Sequence, residues 1–600
     1  MPETKQLPKR DEVALQDKWK IEDLYASDAD WEADFSKLEK LASQFGRHEG
    51  KLSQSAGQLY DALKEQDEIS MLLEKVYVYA GQKNHEDMGD GRYQQLVMRS
   101  QVLMSRVGEA LSFMEPEILG IPDEVMERFL AEYEPLHLYR RYLQEKRRMR
   151  EHVLSREMEG VLAKAANMGK APQNIFQVFN NADLDFGTVT DEDGKTVQLT
   201  HSRYVQFLES QDVRVRQEAF ERIYASYEQF RNTLAAAFDA NVQQERFFAE
   251  MRNYSSSMEM ELDGGNIPVS VYEKLIEAVH KHMDIMHRYV ALRKEIMGVD
   301  ELHMYDVYVP LVAQKDKRYT FEEAKQIVLR GLAPLGEDYL SLLKEGFGHG
   351  WIDVYENQGK RSGAYSWGAY GTHPYVLLNY NGSLNHVFTL AHEMGHAIHS
   401  HYSDQVQPYP YAGYRIFVAE VASTCNEALL IHDLLEHASD AEEKRYLINY
   451  FLDQFKGTLY RQTMFAEFEQ KVHRLGQEGQ SLTADVLCEH YLELNRQYFG
   501  EDMVIDPQIA MEWARIPHFY TPFYVYQYAT GFSAAIAISS KIIKKEPGIV
   551  EKYKEFLSGG SSKDPIDLLK ICGVDMTSSQ PVEEALKVFR KYLDEFAGLV

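Results

Sequence analysis

Apolar residues recur at spacings of three and four along most of this 600-residue chain, the pattern of amphipathic helices. In the first third it runs through Trp31, Phe35, Leu38, Leu41 and Phe45, then through 56–83, 92–113 and 122–169, with Gly120, Pro122 and Pro172 as separators. It then lapses. Gly187-Thr188-Val189-Thr190 and Lys195-Thr196-Val197-Gln198-Leu199 flank an Asp193-Gly194 turn and predict a β-hairpin. This change of period puts a soft boundary near residue 180, between an N-terminal helical region (1–180) and the remainder (181–600). Helices resume at Ser202. Ser270-Val271-Tyr272-Glu273, following Pro268, has the form of a capping box and predicts a helix running to about Gly298.

The helical period lapses again between Gly348 and Tyr380. Trp351–Tyr355 and Tyr375–Tyr380 have strand character, with a turn at Gly359-Lys360-Arg361-Ser362-Gly363. A small sheet here could hold an extended peptide along its edge, or serve only as a structural hairpin. Directly after it, Leu384, Val387, Phe388, Leu390, Ala391, Met394, Ala397 and Ile398 form a broad apolar helical face. Ser383 is the expected N-cap, preceded by an Asn381-Gly382 turn.

That helix carries the chain's most specific chemistry, His392-Glu393-Met394-Gly395-His396. Positions i and i+4 of a helix share a face, so the two imidazoles aim at one metal ion. Glu393, about 100° round the helix, can serve a metal-bound water as general base. Gly395 leaves room for another segment. A third ligand is required. The metzincin arrangement is excluded, because His399 and Tyr402 stand where Gly and His would be needed. The acid inside the apolar run Ile416-Phe417-Val418-Ala419-Glu420-Val421-Ala422 is favoured, since a metal ion removes the cost of burying its charge. Glu427 lies on the same face, seven residues on, and could be the ligand, a partner of a histidine, or a surface acid.

A net charge of −28 disfavours nucleic acid and anionic membranes as partners and favours basic peptides. Cys425, Cys488 and Cys572 are too few and too scattered for a disulfide framework. The N-terminal stretch through Lys20 has no apolar signal region, and no uncharged apolar run is long enough to span a membrane. A cytoplasmic location is expected.

The string His392–His399, followed by Phe417-Val418-Ala419-Glu420-Val421-Ala422-Ser423, resembles the M3 family of zinc oligopeptidases, in its oligoendopeptidase F branch. Gly265–Tyr272, Gly359–Tyr365 and Gly573–Thr577 extend the likeness over most of the chain. Ala422 before Ser423, where the thimet branch has proline, favours the same branch. The resemblance implies a mainly α fold: an elongated, two-lobed body with a deep substrate channel and a small β-sheet beside the zinc helix. It also implies one zinc ion per chain, held by His392, His396 and Glu420, and endopeptidase action on short peptides.

The resemblance also draws in Pro517–Tyr528. There Thr521 is the expected cap and Pro522 the first residue of a helix, placing His518 in the preceding loop and Tyr524 and Tyr528 on one helical face. The family's pattern assigns this histidine and these tyrosines to the substrate carbonyl and the oxyanion. Two alternatives are a non-catalytic zinc-stabilised peptide-binding scaffold and a related helical carboxypeptidase. Cleavage preference and oligomeric state are not legible in the sequence.

Overall fold

The helical spacing is realised with conventional starts. Ser27 and Ser55 cap the long helices Asp28–Phe45 and Ala56–Glu86, their hydroxyls accepting from the Asp30 and Gln58 amides. The first buries Trp31, Phe35, Leu38, Ala42 and Phe45, the stripe its sequence lays down. The computed structural model describes residues 6–312 and 317–600; the first five residues of the N-terminal stretch lie outside it. The fold is mainly α. Two compact units form, each from three segments: the first takes residues up to Val153, Lys317–Asp433 and Ile538–Cys572, the second Leu154–Asp316, Leu434–Ala537 and Gly573–Val600. The sequence boundary near 180 thus falls within a segment of the second unit.

In the second unit the expected hairpin pairs Thr188–Thr190 antiparallel with Thr196–Gln198, and Gly194 supplies the left-handed turn residue at φ +75°. The helix expected over 270–298 is two helices, Val269–Lys281 and Met283–Met297. His282 (φ −117°, ψ 24°) breaks the ladder, and the Tyr460 hydroxyl donates to its carbonyl at 3.0 Å. Ser270 is not the cap. The extended Pro268 precedes the first turn, and no side chain caps it. The run 122–169 is likewise divided, into Asp123–Glu132, Arg140–Arg148 and Arg156–Gly169, with Pro135 opening a 3-10 segment between the first two.

The first unit holds a three-stranded sheet. Tyr375–Leu377 is its centre, parallel to Ile352–Asp353 and antiparallel to Tyr365–Trp367. The third of these strands is absent from the sequence pattern. Its anchor is distant in sequence: Gln82 donates to the Trp367 carbonyl at 2.8 Å, and the Trp367 ring lies where a Cβ on Gly81 would come within 2.7 Å. The N-terminal segment covers the Ile352–Asp353 edge through Val354 N–H to Asp17 O (3.0 Å) and Lys20 N–H to Gly350 O (2.7 Å). The buried Asp353 is answered by two cations, Arg10 at 2.5 Å and Lys360 at 2.7 Å, as a buried carboxylate requires. The helix carrying the histidine pair packs against this sheet. No helix among the described residues is long and apolar enough to cross a membrane.

Candidate metal centre

The metal helix, Leu384–Val406, begins where the sequence places it. Ser383 accepts the His386 amide, Asn381 accepts the Ser383 amide at 3.0 Å, and Gly382 turns the chain at φ +82°. Its apolar face is buried, and His392 and His396 stand one turn apart at the half-buried margin. The second helix, Ile416–Glu436, crosses unusually close. A Cβ on Gly395 would lie 2.6 Å from Ser423 Cα and 2.9 Å from its nitrogen, so only glycine lets the two backbones meet. A buried polar pin fixes the register: Asn426 donates to the Ala391 carbonyl at 3.0 Å and accepts from Tyr339 at 2.9 Å.

This crossing delivers Glu420 to the histidines. Its Oε2 lies 3.3 Å from His392 Nε2 and 3.5 Å from His396 Nε2. Donors bound at about 2.0–2.2 Å in a tetrahedral site are spaced by about 3.4 Å, so the carboxylate oxygen already stands at that spacing from each imidazole nitrogen, and the three donors lie within 4.8 Å of one another. Among the described residues, no other set of three or more His, Cys, Asp or Glu converges in this way. The charge balance also suits a divalent cation, with Glu393, Glu420 and Glu427 crowding two imidazoles. Burial raises the Glu420 carboxyl, but hydrogen bonds with His392 and His396 and their charge overcome this and hold it well below the usual range. On His392, burial is likewise outweighed by Glu427 and Glu420, which push its pKa well up. A histidine and nitrogen–oxygen donor set of this kind fits zinc.

Glu393 is 7% exposed, with Oε2 lacking a hydrogen-bond partner. Burial pushes its carboxyl up, opposed by the two histidines. An unpartnered carboxylate oxygen with a raised pKa beside a metal site is poised to take a proton. Glu427 resolves as a neighbour of the other imidazole nitrogen, its Oε1 3.4 Å from His392 Nδ1, a contact that fixes which nitrogen faces the metal.

Ser423 escapes sequence reasoning. It donates to Glu420 Oε2 at 3.1 Å and so orients the ligand; its position three residues after the acid was the available signal. His399 and Tyr414 were missed as a pair. Their rings stack at 3.8 Å, with Tyr414 against Ser400 at 3.0 Å, and burial holds His399 neutral, its pKa near 3.

The remaining predicted residues lie in the second unit. His518, Tyr524 and Tyr528 are half-buried and gather into one aromatic cluster: His518 stacks parallel to Tyr524 at 6.1 Å, and Tyr528 stands edge-on to both at 6.0 and 5.4 Å. The expected helix start is corrected. Thr521 is not a cap and Pro522 not the first helical residue; the helix begins at Tyr526. Phe523, at φ +55°, turns the chain left-handed and leaves Tyr524 outside the helix. The tyrosines therefore meet across a turn and not along one face.

Residues 206–588 match Peptidase family M3, and residues 117–186 match Oligopeptidase F. Oligopeptidase PepF of Bacillus subtilis is 46% identical over 99% of this chain and 89% of its own length. Group B oligopeptidase PepB of Streptococcus agalactiae is 39% identical, covering 97% of both. Among solved structures, oligoendopeptidase-F from Enterococcus faecium superposes with a TM-score of 0.75 at 39% identity, covering 95% of this chain and 99% of that one. A putative peptidase from Chlamydophila abortus gives 0.92 at 34%, covering 99% and 100%.

Proposed function

Since the chain belongs to peptidase family M3 and is a zinc metallopeptidase of the oligoendopeptidase F type, we propose that His392, His396 and Glu420 hold one zinc ion per chain and that Glu393 is the general base. The carrying observation is the convergence of three donor atoms, from two helices, within 4.8 Å of one another. When bound there, zinc supplies a Lewis acid that polarises the scissile carbonyl and acidifies the attacking water. Glu393 takes the proton from that water and passes it to the leaving amine. Glu427 and Ser423 keep His392 and Glu420 aimed.

His518, Tyr524 and Tyr528 are the proposed donors to the substrate carbonyl and its oxyanion. Their support is chemical: an imidazole and two phenols in mutual contact, the donor types that stabilise developing negative charge. All proposed catalytic residues fall in 181–600. Substrates are short oligopeptides cut internally, as the names of the relatives suggest, and the net charge of −28 favours basic ones. The three unpaired cysteines fit work in the reducing cytoplasm.

The test is Glu393→Gln, assayed with a quenched fluorescent peptide and by metal analysis. Zinc should remain stoichiometric while turnover falls by about 10³-fold, the scale of a general base. Normal turnover in the zinc-loaded variant overturns the assignment. Mass spectrometry of the wild-type products separates internal cleavage from terminal trimming.

A further inference from the structure

Beyond His396 the metal helix continues into the wall of a cavity of about 480 Å³ in the first unit, a volume in the range of small-ligand sites. Ser400, one turn after His396, shares a 3.0 Å hydrogen bond with Tyr414, and both line the cavity. Asp404 lines it a further turn on, about 12 Å along the helix axis from His396. An extended peptide advances about 3.5 Å per residue, so a long side chain two or three residues from a bond held at the metal reaches this far. The edge strand Tyr365–Trp367 contributes Ser366 and Trp367 to the same cavity.

The walls carry two chemistries. Asp404 on the metal helix faces the cavity together with Asp67 and Glu74 of the helix Ala56–Glu86, and no Lys, Arg or His is among the described residues that line it. Asp67 has a neutral partner, the Tyr139 hydroxyl, which donates at 2.7 Å. Arg141 and Lys146, on the helix that brings Tyr142 to the wall, are committed to Asp564 (2.7 Å) and Glu115 (2.9 Å). Burial, and then Glu74, push Asp404 up to about 7, while burial pushes Asp67 up to about 6 and raises Glu74. Carboxylates kept so cost stability, and a bound cation removes the cost. The second chemistry is aromatic. Trp367, Tyr370 and Tyr409 line the cavity as well; the two tyrosines meet edge-on at 5.4 Å, and the Tyr370 hydroxyl donates to the Gln407 carbonyl at 2.9 Å, which fixes this wall. Rings attract an organic cation through their quadrupole and carboxylates attract it through their charge. A bare metal ion does not suit the cavity, because these three acids do not converge to ligand spacing.

We propose that this cavity is a specificity subsite for a cationic group of the peptide substrate, and that Asp404 and Glu74 are the residues that select it. The group is the guanidinium or ammonium of a basic side chain, or the ammonium of the peptide's own N-terminus. This role presupposes the peptide hydrolysis at His392, His396 and Glu420 proposed above and adds to it a substrate class.

The test uses the zinc-loaded full-length enzyme and pairs of peptides competing in one tube, with relative kcat/KM, the measure of discrimination, read by mass spectrometry. One series is N-acetylated and differs only in arginine against its neutral isostere citrulline, moved through the positions on each side of the cleaved bond. A second compares free with acetylated N-termini on a peptide without basic residues. Wild-type enzyme should favour the cationic member at least 10-fold at one side-chain position or at the terminus, which identifies the source of the cation. Asp404→Asn should lower this preference at least threefold with zinc still stoichiometric, and the Asp404→Asn, Glu74→Gln double variant should lower it further. Glu245→Gln, which neutralises an acid of the second unit, should leave it unchanged. Absence of preference from both wild-type series, an undiminished preference in Asp404→Asn, or an equal fall in Glu245→Gln overturns the proposal. Equal cleavage of both members of every pair leaves the peptidase reading standing, whereas cleavage of neither overturns that reading as well.

Discussion

Single residues divide sharply in how legible they are. His392 and His396 can be placed from sequence because helical periodicity alone aims them together, and Glu420 because an acid inside an apolar run demands a partner. Glu427 stays ambiguous at that level, and only the 3.4 Å approach to His392 Nδ1 settles what it touches. Ser423 and Asn426 gain their roles from a crossing of two helices, which no local pattern encodes. Phe523 misleads most, since left-handed turns are ordinarily announced by Gly or Asn, and its φ of +55° moves the start of the following helix. Two substitutions test the ligand supports. Glu427→Gln should weaken zinc binding by about 10- to 100-fold, the usual consequence of losing a histidine's outer partner, measured by competition with a chelator. Ser423→Ala should do the same to a smaller degree, and unchanged affinity in both would remove these residues from the account.

At the scale of elements, the expected cap of the metal helix and the expected hairpin form, whereas Ser270 and Thr521 do not cap the helices expected after them. Ser383 accepts a first-turn amide, and the Asp193-Gly194 hairpin forms in the expected place. The failures share one cause, interactions with distant parts of the chain. The strand Tyr365–Trp367 exists because Gln82 and Gly81 receive it, and the break at His282 is stabilised by Tyr460. The close helix–helix approach at Gly395 makes a direct prediction. In Gly395→Ala the new Cβ would meet Ser423 Cα at 2.6 Å, and backbone on both sides cannot yield cheaply. Overpacking of this kind costs about 1–3 kcal/mol. The variant should melt lower and hold zinc at least 10-fold more weakly, whereas wild-type melting and affinity would mean that the helices do not cross so tightly.

For the whole molecule, each unit contains a pair of acids that resist ionisation. In the first, burial and then Glu74 push Asp404 up to about 7. In the second, burial and then Glu261 push Glu245 up to about 7. A carboxyl whose pKa is higher folded than unfolded binds its proton more tightly in the native state. Its contribution is complete below about pH 4 and is lost as pH rises toward 7. Asp404→Asn and Glu245→Gln remove the charge that costs stability. Each should therefore raise thermal stability at pH 8, by about 1–2 kcal/mol after allowance for solvent screening, and change it little at pH 4. Equal effects at both pH values would contradict the shifts.

The central claim concerns the first unit alone, that two helices bring three donors onto one zinc ion. Anomalous diffraction from crystals of the zinc-loaded protein, recorded on either side of the zinc edge, addresses it most directly. The account predicts a single strong peak about 2.0–2.2 Å from His392 Nε2, His396 Nε2 and Glu420 Oε2. A peak coordinated by Glu427 in place of Glu420, or one lying away from both histidines, would contradict it.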